Sequence, residues 1–445
     1  MTERHVFYRN VIKRYPMAAH GEGVWIYDSE GKAYLDGSSG ALVASIGHGR
    51  REVAEAASRA IGDLGFAHSS QFTTAAQESL AARLAALAPA GLEYVYPVSG
   101  GSEANETAIK MAHQYHVRRG NRRKRLIVSR APSYHGNTLG ALSASGHRSR
   151  RAASAELLMD WPRVEAPPCE TCRYVPSCAS CGEAWADAIE RAIVDAGPNN
   201  VAAFIAESVT GSSCAAYVTP APFFERVRAV CDRYDVLFIA DEVMSGIGRT
   251  GYHFAIEHGG VTPDLITAAK GVSGGYAPLG AVIVSDRIFR VFSESGTFVH
   301  GFTHGGSPIS AAVGATVLEI YEREGLRERA RERGAYLRRR LEALSGDHPI
   351  IGEVRGLGLM LGLELVENRE LARHFPPEAG VTGRLVDAAF EAGLILYPAG
   401  VGAGPRHHDQ VLIGPPLVIA HHEIDRLVEL LDQALTSVER AYGMA

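Results

Sequence analysis

Three short stretches of this sequence carry side chains that can do chemistry. The first ends in Lys270, which closes the apolar run "LITAAK" (265–270) and precedes the glycine-rich turn "GVSGG". The second is Asp241, after the apolar residues of "LFIAD" (237–241). The third is "SGGSE" (99–103), where glycines open a helix and backbone N–H groups face an anion, helped by the helix dipole. Taken singly, Asp241 also reads as a cap and "SGGSE" as an ordinary Gly-Ser turn without the lysine of a nucleotide P-loop. Taken together, an amine, a carboxylate and an anion cradle are what pyridoxal 5′-phosphate requires. The amine condenses with the aldehyde, and desolvation lowers its pKa and makes it a better nucleophile. The carboxylate keeps the ring nitrogen protonated, so the ring accepts the electrons of a broken C–H bond. The phosphate would rest on Gly101 and Ser102.

The type of cation matters at position 270. Of 45 Lys and Arg side chains, five are lysines: Lys13, Lys32, Lys110, Lys124 and Lys270. The first four stand among polar or charged neighbours, where any cation is expected to serve. Lys270 stands where a charge is costly to bury. A guanidinium stays charged and forms no imine there, so arginine is no substitute.

The elements that position these groups follow from apolar patterning. "RLIVSR" (125–130), "VAAFIAE" (201–207), "DVLFIADEV" (235–243), "LITAAK" (265–270) and "AVIVSD" (281–286) read as strands. They alternate with helices such as 99–120 and 220–234. Strands that are apolar throughout imply a mainly parallel sheet covered on both faces, an α/β fold. In such a sheet ligands bind beyond the carboxyl ends of the strands, where Asp241 and Lys270 fall. Residues 24–36 read as two short strands around a Ser-Glu-Gly turn, 50–64 and 74–88 as amphipathic helices, and 308–345 as a long helical pattern. The texture then changes to short strands at 354–367, 394–400 and 411–419 and a last helix from about 421. The expected division is an N-terminal segment 1–65 joined to the small domain, a large domain 66–325, and a small α+β domain 326–445.

Composition excludes other classes. At 445 residues and 46% hydrophobic, the chain can bury a large core. A formal net charge of −5 argues against nucleic acid and against a basic membrane surface. The basic clusters at 118–125 and 148–151 read as solvated connections. No signal core or membrane span is legible, so a cytoplasmic location is expected. Four of six cysteines, Cys169, Cys172, Cys178 and Cys181, lie in a Pro-rich loop (165–182) as two C-x-x-C pairs. Their spacing suits tetrahedral zinc, although five residues between the pairs are few for a zinc ribbon. Unmetallated thiols and a redox or disulfide role stay open beside zinc.

At this point the chain resembles the class III, or omega, aminotransferases of the fold type I pyridoxal-phosphate enzymes. The resemblance runs from about residue 15 to about 440. It is carried in order by "YLDGSSG", "SGGSEANETAIK", "SYHGNTLGAL", "IADEVMSGIGRTG", "PDLITAAKGVSGGYAPLGAV", "FTHGGSPISAA" and "VRGLGLMLGLEL". It implies that Lys270 is the Schiff-base lysine, which moves a proton between the substrate carbon and the cofactor. Asp241 is the implied partner of the ring nitrogen and Val243 packs on one ring face. Tyr134 stacks on the other face, followed by His135 and Gly136, and Gly101 and Ser102 hold the phosphate. Thr303 is implied to reach the phosphate of a neighbouring subunit's cofactor, so a homodimer with a shared site is expected. Glu207 is implied to stand on the substrate side.

Three departures bear on substrate. Met244 stands where many members carry a glutamine near the cofactor's ring hydroxyl, and a thioether is a poor hydrogen-bond partner. Leu412 replaces a carboxylate-binding arginine of members that act on ornithine-like or 4-aminobutyrate-like substrates. Leu42 stands where several amine transaminases place a tryptophan, which implies room for a larger amine. Arg406, in "GAGPRHHDQ", lies where some members place a mobile, carboxylate-binding arginine, while the adjacent His407 and His408 read as surface. The expected reaction is ping-pong transfer of an amino group between a primary, terminal amine and an oxo acid. The amine could belong to a polyamine, an amino sugar or aminoglycoside, or an ω-amino acid. The same fold and lysine also serve isomerases, aminomutases, epimerases and decarboxylases.

Overall fold

The structure, a computed structural model, describes residues 5–167, 169, 171–400 and 408–444. Its centre is a seven-stranded sheet in the order Leu92–Val98, Gly280–Ser285, Leu265–Ala268, Leu237–Asp241, Val201–Glu207, Leu126–Ala131, Arg163–Glu165. Six strands run in one direction, and only Gly280–Ser285 runs against them, antiparallel to both of its neighbours. Alternation along the strands divides two apolar layers. Phe204 and Phe238 face the helices Ala179–Asp195 and Ala221–Arg233, meeting Trp185 and Phe223. Ile205 and Ile239 point the other way, onto Ala104, Ala108 and Met111 of the helix Gly101–Arg118. Both faces are thus sealed, and the strand ends are the open edge of the sheet.

A second sheet, in the order Ile351–Leu357, Met360–Leu365, Asp409–Ile413, Tyr397–Ala399, is antiparallel throughout. The helix Val381–Ala392 packs on two of its strands and on the C-terminal helix His421–Ala441. The N-terminal strands Ala18–Glu22, Trp25–Asp28 and Ala33–Leu35 form a small antiparallel sheet that joins this part of the chain through a bridge from Leu35 to Leu394. The long pattern at 308–345 is two helices, Pro308–Arg323 and Leu326–Asp347, separated at Gly325, whose φ of +59° no helix continues. Among the described residues no helix is long and apolar enough to cross a membrane.

Two expectations about cations are corrected. Lys124 is not a replaceable surface charge. It is 2% exposed, and its Nζ donates to the carbonyls of Pro198, Val201, Tyr234 and Asp235 at 2.6–3.2 Å. The cluster at 148–151 is not wholly solvated either, because Arg151 donates to the carbonyls of Leu142, Ser143 and Ser145. Both side chains go where several backbone carbonyls converge.

Candidate active site

The carboxyl ends of Val201–Glu207, Leu237–Asp241 and Leu265–Ala268 open onto a cavity of about 510 Å³. Parallel register places Asp241 beside Glu207 on one side and Thr267 on the other, and the chain then delivers Lys270 three residues beyond Thr267. Lys270 has a φ of +46°, a left-handed conformation uncommon for a side-chain-bearing residue. Held strain of this kind clusters at functional sites. Among the described residues the amine has no hydrogen-bond partner. Burial pushes its pKa down to about 8, against the opposing pull of Asp241 and Glu207. The amine is therefore substantially uncharged at mildly alkaline pH.

Asp241 is fixed by three donors. Its Oδ2 accepts from Asn105 Nδ2 at 2.8 Å and faces His135 Nδ1 at 2.7 Å, and its Oδ1 accepts the Val243 N–H at 3.0 Å. Asn105 is itself held, because Thr267 Oγ1 donates to its Oδ1 at 2.8 Å and its Nδ2 also donates to the His135 carbonyl. The other ring nitrogen of His135, Nε2, is buried and unpartnered.

The anion cradle is built by close backbone approach. The helix Gly101–Arg118 starts at the cavity, and its first N–H groups have no acceptor within the helix. A Cβ on Gly101 would lie 2.6 Å from Val243 Cγ1, and one on Gly136 would lie 2.6 Å from Ser102 Oγ. Gly136 also has a φ of +137°. Ser102 Oγ accepts the Asn137 N–H at 3.0 Å. Uncapped helix N–H groups, a fixed carboxylate, an amine of lowered pKa and an orphaned imidazole nitrogen in one cavity fit pyridoxal 5′-phosphate.

Tyr134 lines the cavity and carries the Arg150 guanidinium 4.1 Å from its ring centre. Its N–H donates to Glu207 Oε1 at 2.8 Å, and the Gly211 N–H donates to Oε2 at 2.7 Å. Glu207 thus ties two cavity loops together, and burial pushes its pKa up. Val43, Val209, Ser212 and Met244 complete the adjoining wall, with the Met244 thioether against Gly211.

The structure gathers Lys270, Asp241, Gly101, Ser102, Tyr134, His135, Val243 and Glu207 around one cavity. It does not bring Leu42 to it. Leu42 is 2% exposed and packs with Val209, Ala216 and Leu412, and the neighbouring Val43 faces the cavity. Left-handed φ values at Ser39, Gly40 and Leu42 turn the side chains of this segment out of simple alternation. Thr303 is exposed and outside the cavity, in a loop whose His304 ring meets Phe66 at 5.9 Å. His408 is buried and bonds Glu364 at 2.6 Å, contrary to its surface reading. Arg406 and His407 lie outside the described residues. Sequence reasoning missed Asn105, Thr267 and Arg150. Asn105 was within reach, because it lies four residues after Gly101 and so on the same helix face. Arg150 carries no such local signal.

The family model for aminotransferase class-III matches residues 8–435. The chain is 39% identical over 427 residues to the uncharacterized aminotransferase YodT of Bacillus subtilis, covering 96% of each. It is 36% identical to the putrescine–pyruvate aminotransferase of Pseudomonas aeruginosa, covering 94% of this chain and 90% of that one. Among solved structures, an (S)-enantioselective omega-transaminase from Thermomicrobium roseum superposes with a TM-score of 0.89 at 36% identity, covering 98% of this chain and 96% of that one.

Proposed function

The chain belongs to the class III aminotransferases, pyridoxal-phosphate enzymes of fold type I, and from that premise we propose that it transfers the amino group of a primary, terminal amine to an oxo acid. The bound cofactor supplies the aldehyde that takes the amino group and the ring that takes the electrons of the broken C–H bond. Lys270 Nζ is the group that accepts the substrate carbon's proton and returns it, a task suited to an amine whose pKa is about 8. Asp241, clamped by Asn105, His135 and the Val243 N–H, would hold the proton of the ring nitrogen. Gly101 and Ser102 would hold the phosphate, and Tyr134, steadied by Arg150, and Val243 would hold the ring.

One observation carries the choice of substrate. Among the described residues no arginine lines the cavity, and Leu412 is buried in an apolar cluster behind its wall. A carboxylate on the reacting carbon would meet no fixed cation among the described residues lining the cavity, so the oxo acid's carboxylate would need a cation from outside them, the role expected of Arg406. A terminal amine has no such carboxylate, and the name of the Pseudomonas aeruginosa relative is in keeping with that class. Both half-reactions use one cavity, so product leaves before the oxo acid enters and the kinetics are ping-pong. The second subunit of a homodimer would cover the exposed apolar side chains Ile61, Leu64, Phe66 and Phe72, which include the contact to the Thr303 loop. Thr303 would then serve the partner's phosphate.

The test is a half-reaction. The enzyme as purified, with its cofactor, is mixed with diamines, ω-amino acids and α-amino acids in turn, without acceptor. Bleaching of the visible cofactor band by terminal amines, and its return on adding pyruvate or 2-oxoglutarate, is the expected result. Bleaching by α-amino acids alone would overturn the substrate assignment. Product formation without any oxo acid would replace transfer by isomerisation or decarboxylation.

A further inference from the structure

Far along the sequence from the catalytic groups, the four cysteines of the loop 165–182 converge. Their sulfurs all lie within 4.8 Å of one another. Cys169 Sγ is 3.8 Å from Cys178 Sγ, Cys172 Sγ is 3.8 Å from Cys181 Sγ, and Cys178 Sγ is 3.1 Å from Cys181 Sγ. None of these is a disulfide, which needs about 2.05 Å. A single tetrahedral ion with bonds of about 2.3 Å to sulfur sets its ligands about 3.8 Å apart. A multi-iron cluster would hold the sulfurs farther apart. The two long separations thus match the edge of a mononuclear tetrathiolate.

The surroundings suit thiolates. Cys178 stands at the N-cap position of the helix Ala179–Asp195 and Cys181 is its third residue, so both lie at the positive end of a 17-residue helix. The Ser177 N–H donates to Cys172 Sγ at 3.2 Å, and the hydroxyls of Thr171 and Ser180 stand 3.2 Å from Cys169 Sγ and Cys178 Sγ. The Ser177 N–H is a fixed donor to sulfur, and the two hydroxyls are placed so that they can donate to thiolates. The expectation of an irregular loop is corrected at the same point: the second C-x-x-C pair is the start of a helix, which makes that half of the group rigid.

The residues between the two pairs explain what such a site would hold. Tyr174 packs on Gly352 of the strand Ile351–Leu357, and its hydroxyl donates to the Arg369 carbonyl at 3.4 Å. Val175 enters the main core, and Tyr217 Oη donates to the Pro176 carbonyl at 2.7 Å. Tyr217 belongs to the hairpin whose first strand starts at Val209, in the cavity wall. A segment with no helix or strand of its own therefore bridges the second sheet and the substrate side of the cavity.

We propose that Cys169, Cys172, Cys178 and Cys181 bind one zinc ion as four thiolates, releasing four protons to solvent. The ion fixes this bridging segment and takes no part in the amino transfer. The test uses the wild-type, full-length enzyme purified from zinc-containing medium without chelator. Elemental analysis is expected to give one zinc per chain, released together with four titratable thiols by an organomercurial. Replacement with cobalt is expected to give the visible spectrum of a tetrahedral thiolate complex, and metal removal to lower the melting temperature. The double variant C172S/C181S is expected to lose the zinc while keeping its cofactor band. Zinc below about a tenth of an equivalent, together with failure of the reduced protein to take up zinc or cobalt, would overturn the proposal. So would intact-mass evidence that the four cysteines form two disulfides.

Discussion

Removing the side chain of Asn105 tests how the site holds its carboxylate. Asn105 is fully buried, and Asn105→Ala deletes its bonds to Asp241, to the His135 carbonyl and to Thr267 at once. The bond to an ionised acceptor contributes about 1.5–3 kcal/mol, and each neutral partner left unpaired costs about 1–3 kcal/mol. The low ends alone give a loss of about 3.5 kcal/mol in stability. The part that bears on Asp241 should appear in cofactor binding, as a Kd roughly 10–150-fold weaker. The assay is titration of cofactor-free enzyme with pyridoxal 5′-phosphate, followed by the visible band, beside a thermal unfolding scan. Thr267→Val supplies a control, because alone it strands Asn105 Oδ1. In the double variant that penalty disappears, so the pair should cost less than the sum by about 1–2 kcal/mol. An Asn105→Ala enzyme that binds cofactor within twofold of wild type, or a cycle that is additive, would refute the claim that this network positions Asp241.

Other outcomes follow from the same geometry. Folding lowers the Lys270 pKa from 10.5 to about 8, so between these values the unfolded chain binds a proton that the folded chain does not. Stability of the cofactor-free enzyme should therefore rise with pH across that window, by up to about 3 kcal/mol, and fall away again as pH drops toward 8. Denaturant midpoints of wild type and Lys270→Met should converge as pH rises, and a constant difference would contradict the burial of this amine. Arg150→Ala removes the cation over Tyr134 and the contact to Tyr397 Oη. A cofactor Kd or substrate KM raised about 5–30-fold is expected, corresponding to roughly 1–2 kcal/mol, with partial rescue by Arg150→Lys. Lys124→Met leaves four carbonyls without their donor at the amino-terminal edge of the sheet, opposite the cavity. Its melting temperature should fall by the equivalent of about 3 kcal/mol or more, with kcat per folded enzyme unchanged.

The sheet and its chemistry were legible because both depend on local pattern. Apolar runs ending in Asp241 and Lys270 announce buried parallel strands and the edge where they finish. The strand Leu92–Val98 was not legible, since "LEYVYPV" mixes a glutamate and a proline into a half-buried edge. Nor does "AVIVSD" reveal that it runs against its neighbours, because strand direction is set by the path of the connections and not by composition. The same limit applies to side-chain direction. Leu42 and Val43 differ by one position, yet three left-handed residues decide which of them faces the cavity. Arg150 reads as one charge in a basic cluster, and only the tertiary path carries it to Tyr134.

The lysines show why residue type was informative and neighbourhood was not. Lys124 is buried and Lys270 half-buried in the cavity wall, in a chain that otherwise uses arginine, and for opposite reasons. Lys124 ends where carbonyls converge from several directions, a geometry that a compact ammonium satisfies and a planar guanidinium fork does not. Lys270 ends where no acceptor meets it, so Asp241 and Glu207 offset its desolvation only in part and its proton is more easily lost. A cation fully hydrogen-bonded inside a protein is structural, because the bonds that fix it also hold its proton. A cation buried beside two carboxylates yet bonded to neither is a base in waiting. The difference between the two lysines lies in their partners, and charged flanking residues, which made Lys124 read as surface, say nothing about partners that are distant in sequence.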